Sequence, residues 1–165
     1  MPCQCTTIPE YSCLFFGRVA DYIVEYGMGR RLTRDESLEI LKVSSSAGCV
    51  HNTNNFTEAL QFICNCCPDC CGFLEGVRKF GNIKTVNTSN FLCRIDAENC
   101  IACGECVTRC PVQALELVDD KACLNEKLCL GCGNCVPICP VASISLVRVS
   151  HKKPVVGERN IGMGY

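Results

Sequence analysis

Apolar residues in the first half of the chain recur at helical spacing. Phe15, Val19, Tyr22, Ile23 and Tyr26 fall near one face of the stretch Leu14 to Tyr26, and Gly27 and Gly29 follow, so a helix is predicted to end there. Thr33-Arg34-Asp35-Glu36 has capping-box spacing ahead of Leu38, Ile40 and Leu41, which predicts a second helix closing before Gly48. A polar loop with His51, Asn52, Asn54 and Asn55 then leads to Phe56 through Ile63, read as a further helical stretch. Residues 81 to 90 are polar and read as a linker or an exposed hairpin. Beyond residue 90 the period changes to two. Phe91 to Ile95, Ala114 to Val118, Ala122 to Leu124 and Ser143 to Val147 read as short strands, with Asp119-Asp120-Lys121 as a polar turn.

The second half is also an internal repeat with an offset of 29 residues. Cys100, Cys103, Cys106 and Cys110 map onto Cys129, Cys132, Cys135 and Cys139, and Pro111 maps onto Pro140. Leu115 and Leu117 map onto Ile144 and Leu146, so apolar positions keep register with the cysteines and the unit is a duplicated fold element. In each unit a strand leads into the cysteine loop. A single helical turn follows and must stop at the proline, and a second strand closes the unit. The expected class is α+β. Residues 1–90 form a mainly helical cysteine-rich domain, residues 91–149 a small domain with two-fold pseudo-symmetry, and residues 150–165 a mobile or docking tail.

Composition narrows the chemistry. Of 165 residues 19 are cysteine, above the roughly 8–10% that marks a cysteine scaffold. Met1 to Glu10 has no basic start and polar residues interrupt every later apolar stretch, so neither an export signal nor a membrane span is expected. The cysteine count is odd, and Cys66-Cys67 and Cys70-Cys71 are adjacent. That suits thiolates on metal in a reducing, cytoplasmic interior better than a set of bridges. Cysteine inflates the 48% apolar share, so the ordinary core is modest and metal sites are expected to act as staples. A net charge of −1 gives no reason to expect nucleic acid or an anionic membrane as partner.

Two C-x2-C-x2-C-x3-C-P runs carry the strongest signal. Three thiolates at this spacing wrap one loop around three corners of an iron–sulfur cubane, while the fourth, beyond a helical turn, reaches the other cluster. One [4Fe–4S] cluster would take Cys100, Cys103, Cys106 and Cys139; the second would take Cys129, Cys132, Cys135 and Cys110. Gly104, Gly131 and Gly133 let the backbone approach the sulfurs. A zinc ribbon on Cys103, Cys106, Cys129 and Cys132 would leave four cysteines and both prolines without a task. Cys49, Cys93 and Cys123 stand alone and read as buried apolar thiols. Eight others, Cys3, Cys5, Cys13, Cys64, Cys66, Cys67, Cys70 and Cys71, suggest a further iron–sulfur site. One additional cluster is the expectation, with two clusters or zinc as the alternatives. His51 is either a fourth ligand there or a surface residue.

Residues 91 to 148 resemble the bacterial-type dicluster ferredoxins and match them at every ligand position. The resemblance implies the ferredoxin-like fold and single-electron transfer at each cluster, but no particular reaction, because such domains also serve as modules of many redox enzymes. The stretch from Cys5-x7-Cys13-Leu14 through Gly27-Met28-Gly29-Arg30, Val50-His51 and the CxCCxxCC segment is similar to larger anaerobe iron–sulfur proteins. Those carry a cysteine-rich part ahead of a dicluster ferredoxin domain. They extend further upstream, so any ligand they hold there is expected to be missing here.

The function expected from these readings is electron transfer, as a carrier or as a subunit docked on a catalytic oxidoreductase. Between residues 94 and 148 seven acidic side chains face five basic ones, a balance that favours a stable redox partner over free diffusion. The alternative is an iron–sulfur enzyme with its own chemistry at the CxCCxxCC centre. No C-x3-C-x2-C radical motif, GxGxxG fingerprint or P-loop lysine accompanies that segment. A cluster-based sensor would need a DNA-reading helix, and none is apparent.

Overall fold

A computed structural model describes residues 12–57 and 60–155; Cys3 and Cys5 lie outside them. The chain is α+β. Leu14–Phe15 is a strand, β1, and not the first turn of a helix. Phe16 is extended and Gly17 turns the chain at φ +57°, so helix α1 spans only Gly17–Glu25 and closes ahead of Gly27 at φ +67°. Helix α2, Arg34–Ser46, begins with the expected capping box. The Glu36 amide donates to Thr33 Oγ1 at 3.2 Å and the Thr33 amide donates to Glu36 Oε2 at 2.7 Å. It ends before Gly48, as the pattern predicts.

The start of the polar loop expected next and the end of the expected third helical stretch are strands instead. Val50–Thr53 is β2 and Phe62–Cys66 is β3, with β3 central in an antiparallel sheet of order β1-β3-β2. Side chains close the connection between them: Thr53 Oγ1 donates to the Phe62 carbonyl at 2.8 Å and Asn54 Oδ1 accepts from the Gln61 amide at 3.0 Å. At Phe62 and Ile63, the end of that stretch, sheet pairing prevails over helical periodicity, since aromatic and β-branched residues pack well in strands. The first part of the chain thus joins helices to a sheet.

Helix α3, Gly72–Phe80, follows the cysteine segment and ends at Gly81 in the left-handed region. Residues 81–90 are not a free linker. A 3-10 turn at Ile83–Thr85 comes first, Ile83 and Val86 pack against a core, and the Ser89 amide donates to the Leu130 carbonyl at 3.0 Å.

The second part contains β4 (Phe91–Ile95), α4 (Glu105–Arg109), β5 (Leu115–Val118), β6 (Lys121–Leu124) and β7 (Ile144–Arg148). Strand β4 pairs antiparallel with β7 and β5 with β6, so each ladder takes one strand from each repeat. Asp119 and Asp120 both have positive φ, the two-residue hairpin geometry that suits a right-twisted strand pair. Only the first cysteine loop is followed by a regular helical turn, α4, stopping before Pro111. In the second repeat Pro137 occupies the position of Thr108, and the chain makes turns through the Val136 amide to the Gly133 carbonyl and the Cys139 amide to the Val136 carbonyl. Proline withholds a donor and restricts the residue before it, so a helix does not form.

Two cores hold the described residues together. One joins the parts: Val50, Leu74 and Val77 meet Val112, Ala114 and Leu130. Polar ties reinforce it. Arg109 Nη2 donates to the carbonyls of Ser45 and Ser46 at 2.6 and 2.8 Å, capping the C-terminus of α2, and Asn134 Nδ2 donates to the Gly48 carbonyl at 2.8 Å. The other core, of Cys93, Cys106, Leu115, Ala122, Cys135 and Ile144, lies within the second part. The described start of the tail is docked: Asn90 bonds Ser150 and Lys152, and Val155 bridges to Phe56. No helix among the described residues is long and apolar enough to cross a membrane.

Candidate metal centres

Each cysteine run starts from a polar turn at the same place in its repeat. In the first, Asp96 Oδ1 accepts from the Glu98 and Asn99 amides at 3.0 and 3.4 Å, and Asn99 Nδ2 donates to Oδ2 at 2.7 Å. The Asn99 side chain and then these amides hold the Asp96 carboxyl below its usual pKa. In the second, Asn125 Oδ1 accepts from the Lys127 amide at 3.1 Å. These Asx-type turns aim the chain into the loops. Gly131 has φ +67°, and a Cβ there would lie 2.0 Å from the Phe91 carbonyl oxygen and 2.3 Å from Ser89 Oγ, so the close approach of two backbones requires glycine.

The loops enclose two cavities. Cys100, Cys103, Cys106 and Cys139 line one, which has about 310 Å³ of empty space including its open mouth. Cys129, Cys132, Cys135 and Cys110 line the other, with about 360 Å³ counted the same way. Each set draws three sulfurs from one run and the fourth from the other. Apart from the cysteines, glycines and largely aliphatic side chains line both, including Leu117, Val141 and Ile144 in one and Val112, Leu115, Leu130 and Leu146 in the other.

Backbone donors face the sulfurs. The Ala114 amide lies 3.2 Å from Cys110 Sγ, the Ser143 amide 3.3 Å from Cys139 Sγ, and the Ala122 amide 3.5 Å from Cys100 Sγ. These bonds favour thiolate. The Ser143 hydroxyl, then its amide, holds Cys139 below the ordinary thiol pKa, and the Ala122 amide does so for Cys100. Burial acts the other way on Cys106 and Cys110. Cys132 is exposed as a residue, yet its crowded thiol is pushed up to about 11. Cys135 is raised as well, first by its contact with Cys93 and then by burial.

Residues 99–143 match the family model described as a 4Fe-4S dicluster domain. No curated protein matches the chain. The match supports a ferredoxin-type iron–sulfur domain and an electron-transfer role for it. The donor sets fit such clusters: soft thiolates surround each cavity, amides point at sulfur, and apolar walls limit water. Among the described residues no three His, Cys, Asp or Glu side chains close on one point as ligands of a single ion would.

Cys93 was read from the sequence as a buried apolar thiol. It is only 2% exposed, but it also lines the second cavity, with its Sγ 3.7 Å from that of Cys135. The alternation of Phe91, Cys93 and Ile95 was the available signal. Cys49 is fully buried, whereas Cys123 is only half-buried in β6. Arg109 and Asn134, inside the runs, reach the carbonyls of Ser45 and Gly48, and no local sequence pattern marks either contact. Of the eight further cysteines, Cys13, Cys64, Cys66 and Cys71 are free thiols around the first sheet. Cys67 is buried and adjoins Cys49, and Cys70 is disulfide-bonded. His51 is exposed and bonds Asn65 through Nδ1, on the face of β3 opposite Cys64 and Cys66.

Proposed function

We propose that this chain is an iron–sulfur electron-transfer protein that binds two [4Fe–4S] clusters and serves as the electron-transferring subunit of a redox complex. Cys100, Cys103, Cys106 and Cys139 would hold one cluster, and Cys129, Cys132, Cys135 and Cys110 the other. The observation that carries this reading is the division of the eight sulfurs between two cavities, three from one run and one from the other in each. When bound, each cluster accepts and returns one electron. The chain's own part is to supply the thiolates, orient amide donors toward sulfur and keep water out with aliphatic walls. The reading of a partner is supported by apolar exposure at the rim of the first cavity: Ile101 is 60%, Leu117 46% and Val141 40% exposed. A docked redox protein would cover such side chains.

Paired alanine variants test the ligand assignment through iron content. If Cys110 shares a cluster with Cys132, the double variant loses about four irons, no more than one cluster contains. Cys110→Ala with Cys103→Ala then strips both clusters, because the substitutions strike separate sites. The opposite result, with Cys110 and Cys103 the non-additive pair, would refute the crossed ligation. Reductive titration should show uptake of about two electrons by these clusters; no uptake would refute the electron-transfer role.

A further inference from the structure

We propose that Cys13, Cys64, Cys66 and Cys71 form a third thiolate site, which takes an additional iron–sulfur cluster. This deepens the electron-transfer reading above and rests on it. The register of β1 on β3, Leu14 with Ile63 and Phe15 with Phe62, places Cys13 opposite Cys64, and their thiols are in contact. Cys64 and Cys66 lie on one face of β3, because strand side chains alternate with period two. The chain then doubles back: the Cys71 amide donates to the Cys67 carbonyl at 3.2 Å, and Cys71 becomes the N-cap of α3. This return brings the Cys71 thiol against that of Cys66.

Two features suit these sulfurs to metal. The Asn52 side chain bonds Cys66, as amides bond the sulfurs of the two ferredoxin-type cavities. Cys71 sits at the N-cap of the nine-residue helix α3, beside the backbone amides that the first turn leaves without intrahelical partners. On binding, each thiol releases its proton to solvent and its sulfur donates an electron pair to one iron; a core assembled from ferrous and ferric iron in equal amounts with sulfide consumes neither oxidant nor reductant. Soft thiolate sets accept zinc as well as iron–sulfur clusters. Location favours the redox-active choice. Cys66 and Cys71 pack against the same apolar core as Cys110 and Cys129, so the third site neighbours the second cavity.

The test is anaerobic reconstitution of the full chain with equal amounts of ferrous and ferric iron and with sulfide, followed by iron, sulfide and zinc analysis, Mössbauer spectroscopy and EPR of the reduced protein. The wild type should bind about twelve irons, and Cys64→Ala and Cys66→Ala about eight, with the spectra of the two remaining clusters retained. Cys13→Ala should also lose about four irons, and because Cys13 is exposed this variant guards against a folding defect in the others. Cys49→Ala and Cys67→Ala should keep the full complement. Spin–spin broadening between neighbouring centres should disappear in Cys66→Ala. About eight irons in the wild type, with or without one zinc, would overturn the proposal, as would retention of about twelve in Cys13→Ala and Cys66→Ala. Failure of the two-cluster reading looks different: Cys103→Ala and Cys132→Ala would then leave the iron content unchanged.

Discussion

Gly131→Ala isolates the effect of backbone packing on the second cavity. Two costs add at this position. A left-handed residue with a Cβ costs about 1–2 kcal/mol, and overpacking costs about 1–3 kcal/mol more. The new Cβ would meet the Phe91 carbonyl oxygen at 2.0 Å, and that oxygen belongs to β4, which is paired along its length with β7. Backbone held in a ladder yields less readily than a side chain, so the expected loss lies at the upper end of about 2–5 kcal/mol. Three neighbouring positions serve as controls. Ala102 holds the equivalent place in the first repeat at φ +55°, which shows that the left-handed conformation by itself is tolerated with a Cβ. At Gly133 the nearest atom is Leu146 Cδ1, a movable side-chain end, at 3.0 Å, and at Gly104 it is Leu117 Cδ1 at 3.7 Å. The expected order of damage is Gly131→Ala, then Gly133→Ala, then Gly104→Ala. Anaerobic denaturant melts of the loaded protein give the stability, and iron content after gel filtration shows whether the second centre is lost first. Equal losses at Gly131 and Gly104 would refute the claim that backbone approach, not φ, demands the glycine.

Arg109→Ala removes a charged donor from two carbonyls at the end of α2 and should cost about 2 kcal/mol, seen as faster amide exchange over α2 while the iron content holds. Thr33→Ala breaks the capping box and should cost about 1 kcal/mol, read from exchange in the first turn of α2. The Glu36 carboxyl is held low by the Thr33 amide and then by Arg30, so its charge adds stability above the ordinary carboxyl pKa and loses it as pH falls through the lowered value. Glu36→Gln should therefore differ from wild type at neutral pH and converge with it on acidification. Iron chelation should collapse the second core, because Cys93, Cys106 and Cys135 supply half of its six buried residues; retained protection of β4 and β7 after chelation would contradict this.

The capping box at Thr33 and the glycine stops at Gly27 and Gly48 are local in sequence, and each appears where the pattern placed it. Helix caps and turns are decided by a few neighbouring residues, which is why they could be read without coordinates. The same local reading erred where long-range pairing competes with local preference. Leu14-Phe15 and the stretch ending at Ile63 carry helical periodicity, yet they pair with each other as β1 and β3 across almost 50 residues. The sheet aligns Cys13 with Cys64, and neither periodicity nor spacing expresses that juxtaposition. Pro137 marks a break that was visible in the sequence, while the docking of Arg109 and Asn134 onto the end of α2 was not, since it depends on two distant segments meeting. Sequence determined which cysteines share a loop and where helix α2 begins. Tertiary structure decided which cysteines of the first sheet meet, because a strand's partner is chosen by packing and hydrogen bonding over the whole fold.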